Sequence, residues 1–201
     1  MTREQSIKKF LYSIWMFIQK MTGSKSKIRL NKENKKPLSS FYDLKSTLNN
    51  GNEFFFSNLM SKKTLIVNTA SDCLYTNQYE ELEKLYQLYP SKIMILGFPA
   101  NDFKEQEKAS DNDIAQFCKI NFGVTFPLMK KSIVIKSEHQ NEIYRWLTDA
   151  NKNGWNEQQP TWNFSKYLIN EKGVLTHYFA PTVSLLSDVI KNAVNQIEHF
   201  S

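Results

Sequence analysis

Two cysteines, Cys73 and Cys118, are the residues of this chain best suited to covalent chemistry. Cys73 lies in NTASDCLYTNQYEEL (68–82), just past an apolar run and just before a helical pattern. A thiol at that junction meets the free N–H groups and positive dipole end of a helix, which stabilise the thiolate. The competing reading is an inert core cysteine, since free cysteine is among the most buried residue types. The polar neighbours Asp72, Thr76, Asn77 and Gln78 weigh toward reactivity, and position alone leaves both readings standing. Neither cysteine belongs to a CxxC pair. His139, His177 and His199 are scattered, so no set has metal-ligand spacing and no metal or organic cofactor is expected. Two cysteines in 201 residues also make no disulfide scaffold.

The elements that must position Cys73 follow from periodicity. KTLIVNTA (63–70) is a continuous apolar run, the signature of a strand buried on both faces. Tyr79, Leu82, Leu85, Tyr86 and Tyr89 recur at helical intervals until Pro90. KIMILGF (92–98) is a second buried strand, so strand, helix and strand make a parallel pair. Ser110 with Asp113 predicts a helix start, Gly123 its end, and Ile114, Phe117 and Cys118 its apolar side. VTFPLM (124–129) is strand-like, and Ile143, Trp146 and Leu147 indicate another helix. Two hairpins are expected, one around Asn49–Asn52 near the amino end and one around Glu171–Gly173. Leu186, Val189, Ile190, Ala193, Val194 and Ile197 predict a final helix. The order gives an α/β fold: a mixed central sheet flanked by helices, with an N-terminal β-hairpin.

The net charge of +6 is unevenly spread. Residues 1–37 carry ten basic and two acidic side chains, whereas the rest carries 16 basic and 18 acidic. The chain therefore divides into a basic extension (1–37) and a domain (38–201) that lacks the basic face of a nucleic-acid binder. The apolar run 10–18 is shorter than the roughly 20 residues a membrane-spanning helix needs. Three readings of the extension stand. One is an export signal, with small residues at Thr22 and Ser24. Another is an interfacial helix with Phe10, Leu11, Ile14, Trp15, Ile18 and Met21 on one side, followed by a polybasic stretch. That combination gives membrane-surface contact through residues 8–36 of a cytoplasmic protein. The third is an unstructured tail.

Three further stretches bear on Cys73: LGFPANDFKEQE (96–107), FCKINFGVTFPLM (117–129) and TWNFSKYLINEKGVL (161–175). Together with VNTASDCLYTNQYEEL (67–82), in this order and spacing, they resemble the glutathione peroxidase family from about Phe41 onward. The resemblance implies a thioredoxin-like fold that reduces hydroperoxides. It implies a catalytic group of Cys73, Gln106, Trp162 and Asn163. Glutamine, indole and asparagine are neutral donors that favour thiolate over thiol and can hold a departing oxygen. On composition alone Trp162 would be a core aromatic opening a strand. Cys118 matches the resolving cysteine of the non-selenium, two-cysteine members. Its helix would loosen so that a disulfide with Cys73 could form, to be reset by thioredoxin, as members with this second cysteine generally are, or by glutathione. The absence of an insertion before Trp162 implies a monomer.

Five positions depart from the family pattern. Leu74 stands where glycine is usual, Lys108-Ala109 where Pro-Gly is, and Ala100 replaces a common cysteine. Asp102 replaces glutamine, and its charge is expected to raise a nearby thiol's pKa. These departures keep two rivals in view: a peroxide-sensing relay that hands its disulfide to a partner protein, and an inactive thioredoxin-fold binding module.

Overall fold

The computed structural model describes residues 28–196. Its strands are β1 (Ile28–Leu30), β2 (Lys45–Thr47), β3 (Glu53–Phe55), β4 (Lys63–Thr69), β5 (Ile93–Pro99), β6 (Lys166–Ile169) and β7 (Leu175–Phe179). Helices α1 (Gln78–Leu88), α2 (Asp111–Phe122), α3 (Glu142–Leu147), α4 (Ala150–Asn153) and α5 (Asp188–Asn195) follow in chain order. The central sheet has the order β1-β7-β6-β4-β5, and β2 pairs with β3 as a separate hairpin. Only β4 and β5 are parallel; β6 runs antiparallel to β4, and β7 to β6.

Side-chain alternation on the strands sorts the core into two layers. Leu65 and Val67 of β4, Ile95 of β5 and Leu168 of β6 pack with α1, α2 and α5. Ile66, Phe98, Tyr167 and Ile169 face the other way, against α3 and the one-turn segments holding Phe41 and Phe56. Cys73 and Cys118 both belong to the first layer.

Two expectations change. VTFPLM makes no strand beyond single bridges, Gly97 to Leu128 and Leu48 to Met129. Pro127 has no N–H to donate, so a continuous ladder cannot form there. The close pass leaves no space at Gly97, where a Cβ would lie 2.7 Å from Leu128 Cδ2. At the other end, the charge-based boundary after residue 37 leaves out a strand. Ile28–Leu30 pairs with β7, and Asn31 N–H continues the contact to Thr176 O at 2.9 Å. Charge composition carries no signal for a three-residue edge strand. The signal, anchor and tail readings of residues 1–24 lie outside the described residues, as do Ile197 and His199. Among the described residues, no helix is long and apolar enough to cross a membrane.

Candidate active site

Cys73 follows the carboxyl end of β4 by four residues and is 3% exposed. The helix does not begin beside it. α1 starts at Gln78, and the intervening segment is a run of turns in which Thr76 N–H reaches Cys73 O at 3.1 Å. Thr76 pins this segment: its hydroxyl accepts from Cys73 N–H and donates to Ala70 O, each at 3.0 Å. The backbone donor to sulfur is Tyr75 N–H, 3.4 Å from Sγ.

The other three members arrive on two loops. Gln106 follows β5, and its carbonyl accepts Asp72 N–H at 3.0 Å, tying that loop to the cysteine segment. Trp162 and Asn163 form a tight turn ahead of β6. Phe164 closes the turn with φ +65° and donates its N–H to Asn68 O. Asn68 also donates its side-chain amide to Trp162 O at 3.1 Å. Thus a polar residue inside the apolar strand β4 anchors the Trp-Asn turn at the carboxyl end of the central strand. Asn163 is fully buried, and its amide donates to Gln106 Oε1 at 2.9 Å. The four positions that the resemblance marks therefore share one site, with Trp162 as a half-buried turn residue rather than the opening of a strand.

The electrostatics correct one expectation. Burial pushes the Cys73 thiol above its ordinary pKa. Tyr75 N–H and the Asn163 and Trp162 side chains each pull it down, and Asp72 pushes it up, without reversing the effect of burial. The resting group is the thiol. The helix-terminus argument fails because α1 opens five residues later, so its dipole does not bear directly on sulfur. The like charge beside the thiol is Asp72, not Asp102. Asp102 instead turns to Val134 N–H at 3.0 Å. Leu74 is not among the described residues with positive φ and is 39% exposed, so no glycine-only backbone is required there.

Cys118 is fully buried on α2, and burial pushes its thiol up to about 12. The Tyr79 hydroxyl faces it and acts to lower it, although that hydroxyl makes no hydrogen bond of good geometry. Both cysteines are free thiols.

Sequence reasoning named Thr76 only as a polar neighbour of Cys73 and did not single out Asn68, Lys104 or Glu107. Glu107 is 1% exposed, accepts Ser71 Oγ–H at 2.8 Å, and is pushed up to about 6 by burial. An asparagine in an apolar strand was the one legible signal among them. A cavity of about 590 Å³ opens beside Asp72, lined by Ser71, Lys104, Gln106, Glu107 and Lys108 among others.

Known proteins with the same features are readily found. Residues 41–148 match the family model described as glutathione peroxidase. The glutathione peroxidase-like peroxiredoxin gpx1 of Schizosaccharomyces pombe is 46% identical over 137 residues, 68% of this chain and 85% of that protein. The peroxiredoxin HYR1 of Saccharomyces cerevisiae is 41% identical over 164 residues, 80% of this chain and all of that protein. Among solved structures, Trgpx in apo form is 34% identical with a TM-score of 0.60, covering 79% of this chain and 97% of its own. A DsbF homologue from Corynebacterium diphtheriae, 15% identical with a TM-score of 0.59 over 84% of this chain and 92% of its own, shares the thioredoxin-like fold alone. With Cys73, Gln106, Trp162 and Asn163 gathered at the end of the central strand and that degree of likeness over most of the domain, the chain belongs to the glutathione peroxidase family and is a peroxidase oxidoreductase.

Proposed function

We propose that the chain reduces hydrogen peroxide and organic or lipid hydroperoxides through Cys73, with Cys118 resolving the product and thioredoxin rather than glutathione resetting the enzyme. The observation that carries this reading is the convergence of the Trp162 and Asn163 side chains on a buried thiol, with Gln106 accepting from the Asn163 amide.

In the first step, sulfur attacks one oxygen of ROOH. An S–O bond forms, the O–O bond breaks, and the thiol proton leaves with the departing RO⁻ as ROH. The thiolate is the stronger nucleophile, so the site must supply what burial withholds. Tyr75 N–H stabilises charge on sulfur, while the Trp162 and Asn163 donors are placed to hold charge as it moves to oxygen. In the second step, Cys118 sulfur displaces the sulfenic oxygen as water, giving a Cys73–Cys118 disulfide. Cys118 starts fully buried on α2, so this step requires that helix to open locally. A thioredoxin dithiol then takes over the disulfide by exchange.

The test follows peroxide consumption with thioredoxin, then with glutathione, in wild type, Cys73→Ser and Cys118→Ser. Cys73→Ser should abolish turnover. Cys118→Ser should permit one oxidation per chain and lose thioredoxin-driven cycling. The oxidation rate should climb with pH beyond the range of free cysteine, because the reactive thiolate is scarcer here. Turnover persisting in Cys73→Ser would end this reading.

The complete burial of Cys118 favours a second reading, the relay. Slow opening of α2 lengthens the life of the Cys73 sulfenic acid and lets a partner thiol reach it first. Mixed disulfides to a single partner in Cys118→Ser would favour it; none would exclude it.

A further inference from the structure

We infer that Lys104 is a positioning residue for the peroxide step, acting through the indole of Trp162; this rests on the Cys73 reading above. Lys104 Nζ lies 5.8 Å from the centroid of the Trp162 ring. Phe103, its neighbour in the chain, meets the same indole at 5.5 Å between ring centroids, tilted by 46°. Consecutive residues of one loop thus hold the indole that lowers the thiol's pKa. Two residues further on, the same loop delivers Gln106 to Asn163.

The backbone that makes this possible is unusual. Lys104 has φ +53° and Glu105 φ +52°, so two successive side-chain-bearing residues sit in the left-handed region. Such a conformation persists only where the surroundings over-determine it. Here three contacts do so. Asn101 Oδ1 accepts Glu107 N–H at 2.9 Å, Gln106 O accepts Asp72 N–H at 3.0 Å, and Lys108 holds Glu105 at 2.8 Å. The last contact also matters for charge. It engages the carboxylate next in the chain, and among the described residues Lys104 makes no ion pair. Its cation is left to the indole. Asp72, Glu105 and Glu107 line the same cavity as Lys104, and of these Asp72 is the one whose charge acts on the thiol.

A cation over an aromatic face is attracted by the ring's quadrupole and draws electron density from it. Drawing density from indole makes Nε1–H a stronger donor. In this site that donor already favours thiolate, and it is placed to favour the oxyanion that leaves. Lys104 acts on neither sulfur nor peroxide directly; it tunes and orients the indole that acts on the thiol.

The experiment uses the reduced full chain and two readouts. One is the second-order rate of Cys73 oxidation by H₂O₂ in stopped flow. The other is the pH profile of Cys73 alkylation, followed by mass spectrometry. Lys104→Gln should slow oxidation about fivefold and move the alkylation profile to higher pH, while Lys104→Arg stays within about twofold of wild type. Lys104→Gly should be as slow as Lys104→Gln yet melt no lower than wild type, since glycine accepts the left-handed backbone. In a Trp162→Phe background, which lacks the indole N–H, Lys104→Gln should have no further effect. Wild-type rate and profile in Lys104→Gln and Lys104→Gly would overturn the inference. So would an undiminished Lys104→Gln effect in the Trp162→Phe background. Absence of Cys73 oxidation in wild type would instead remove the reading on which the inference rests.

Discussion

At the scale of single residues, the site is built from groups held away from their preferred states. Glu107 illustrates the cost. Its carboxyl is buried with one oxygen on Ser71 and the other without a partner, and its pKa rises from 4.5 to about 6. A carboxyl whose pKa is higher folded than unfolded binds its proton more tightly in the native state. Its stabilising contribution is complete below pH 4.5 and is lost as pH rises through 6. Replacing it by glutamine removes the charge and keeps an acceptor for Ser71. Glu107→Gln should therefore gain about 1–2 kcal/mol over wild type at pH 8 and nothing at pH 4. Denaturant titrations of both proteins across that range check this. A difference that is flat with pH would refute it. Cys73 obeys the same physics, as burial favours its neutral thiol.

At the scale of elements, the proposed cycle places its conformational demand on α2. It is capped at both ends. Ser110 Oγ accepts Asp113 N–H at 3.3 Å, and Gly123 takes φ +64° while its N–H returns to Lys119 O at 3.0 Å. Those caps keep Cys118 in the core. Ser110→Ala or Gly123→Ala should each cost about 1 kcal/mol of stability. If opening of α2 limits resolution, the same changes should speed disulfide formation up to about fivefold while leaving Cys73 oxidation unchanged. Quenched mass spectrometry of the sulfenic and disulfide forms reads both steps. Slower disulfide formation in both variants would mean that Cys118 reacts from an intact helix. Elsewhere, buried lysines fasten elements from within. Lys63 Nζ caps the end of α5 through Ala193 O at 2.7 Å, and Lys166 Nζ holds the loop after β7 through Val183 O at 2.8 Å.

At the scale of the whole molecule, the sheet begins before the charge boundary. β1 covers the edge of β7, and the segment after it stays attached through Asn31 to Leu175 O and Leu38 N–H to Lys152 O. Lys36 O lies where a Cβ on Gly154 would have to go. A chain starting at residue 28 should melt close to the full-length protein. One starting at residue 38 should lose about 5 °C and show more association through the bared edge of β7. Equal melting of the two truncated chains would show that β1 adds nothing.

Much of this was legible in the residues alone, and for a physical reason. The buried strands β4 and β5, helix α1, helix α2 with its caps, and the β6–β7 hairpin all arise from local periodicity and turn chemistry. Cys73, Gln106, Trp162 and Asn163 could be marked because the four stretches that carry them resemble the glutathione peroxidase family in order and spacing. What needed the tertiary structure was every property set by neighbours distant in the chain. The Asn68 clamp on the Trp-Asn turn spans about ninety residues, and Lys104 meets Trp162 only because two loops converge. The direction of the Cys73 pKa also belonged to the fold. A sequence can announce donors around a thiol, but the balance between their attraction and the loss of water depends on how deeply packing buries the sulfur.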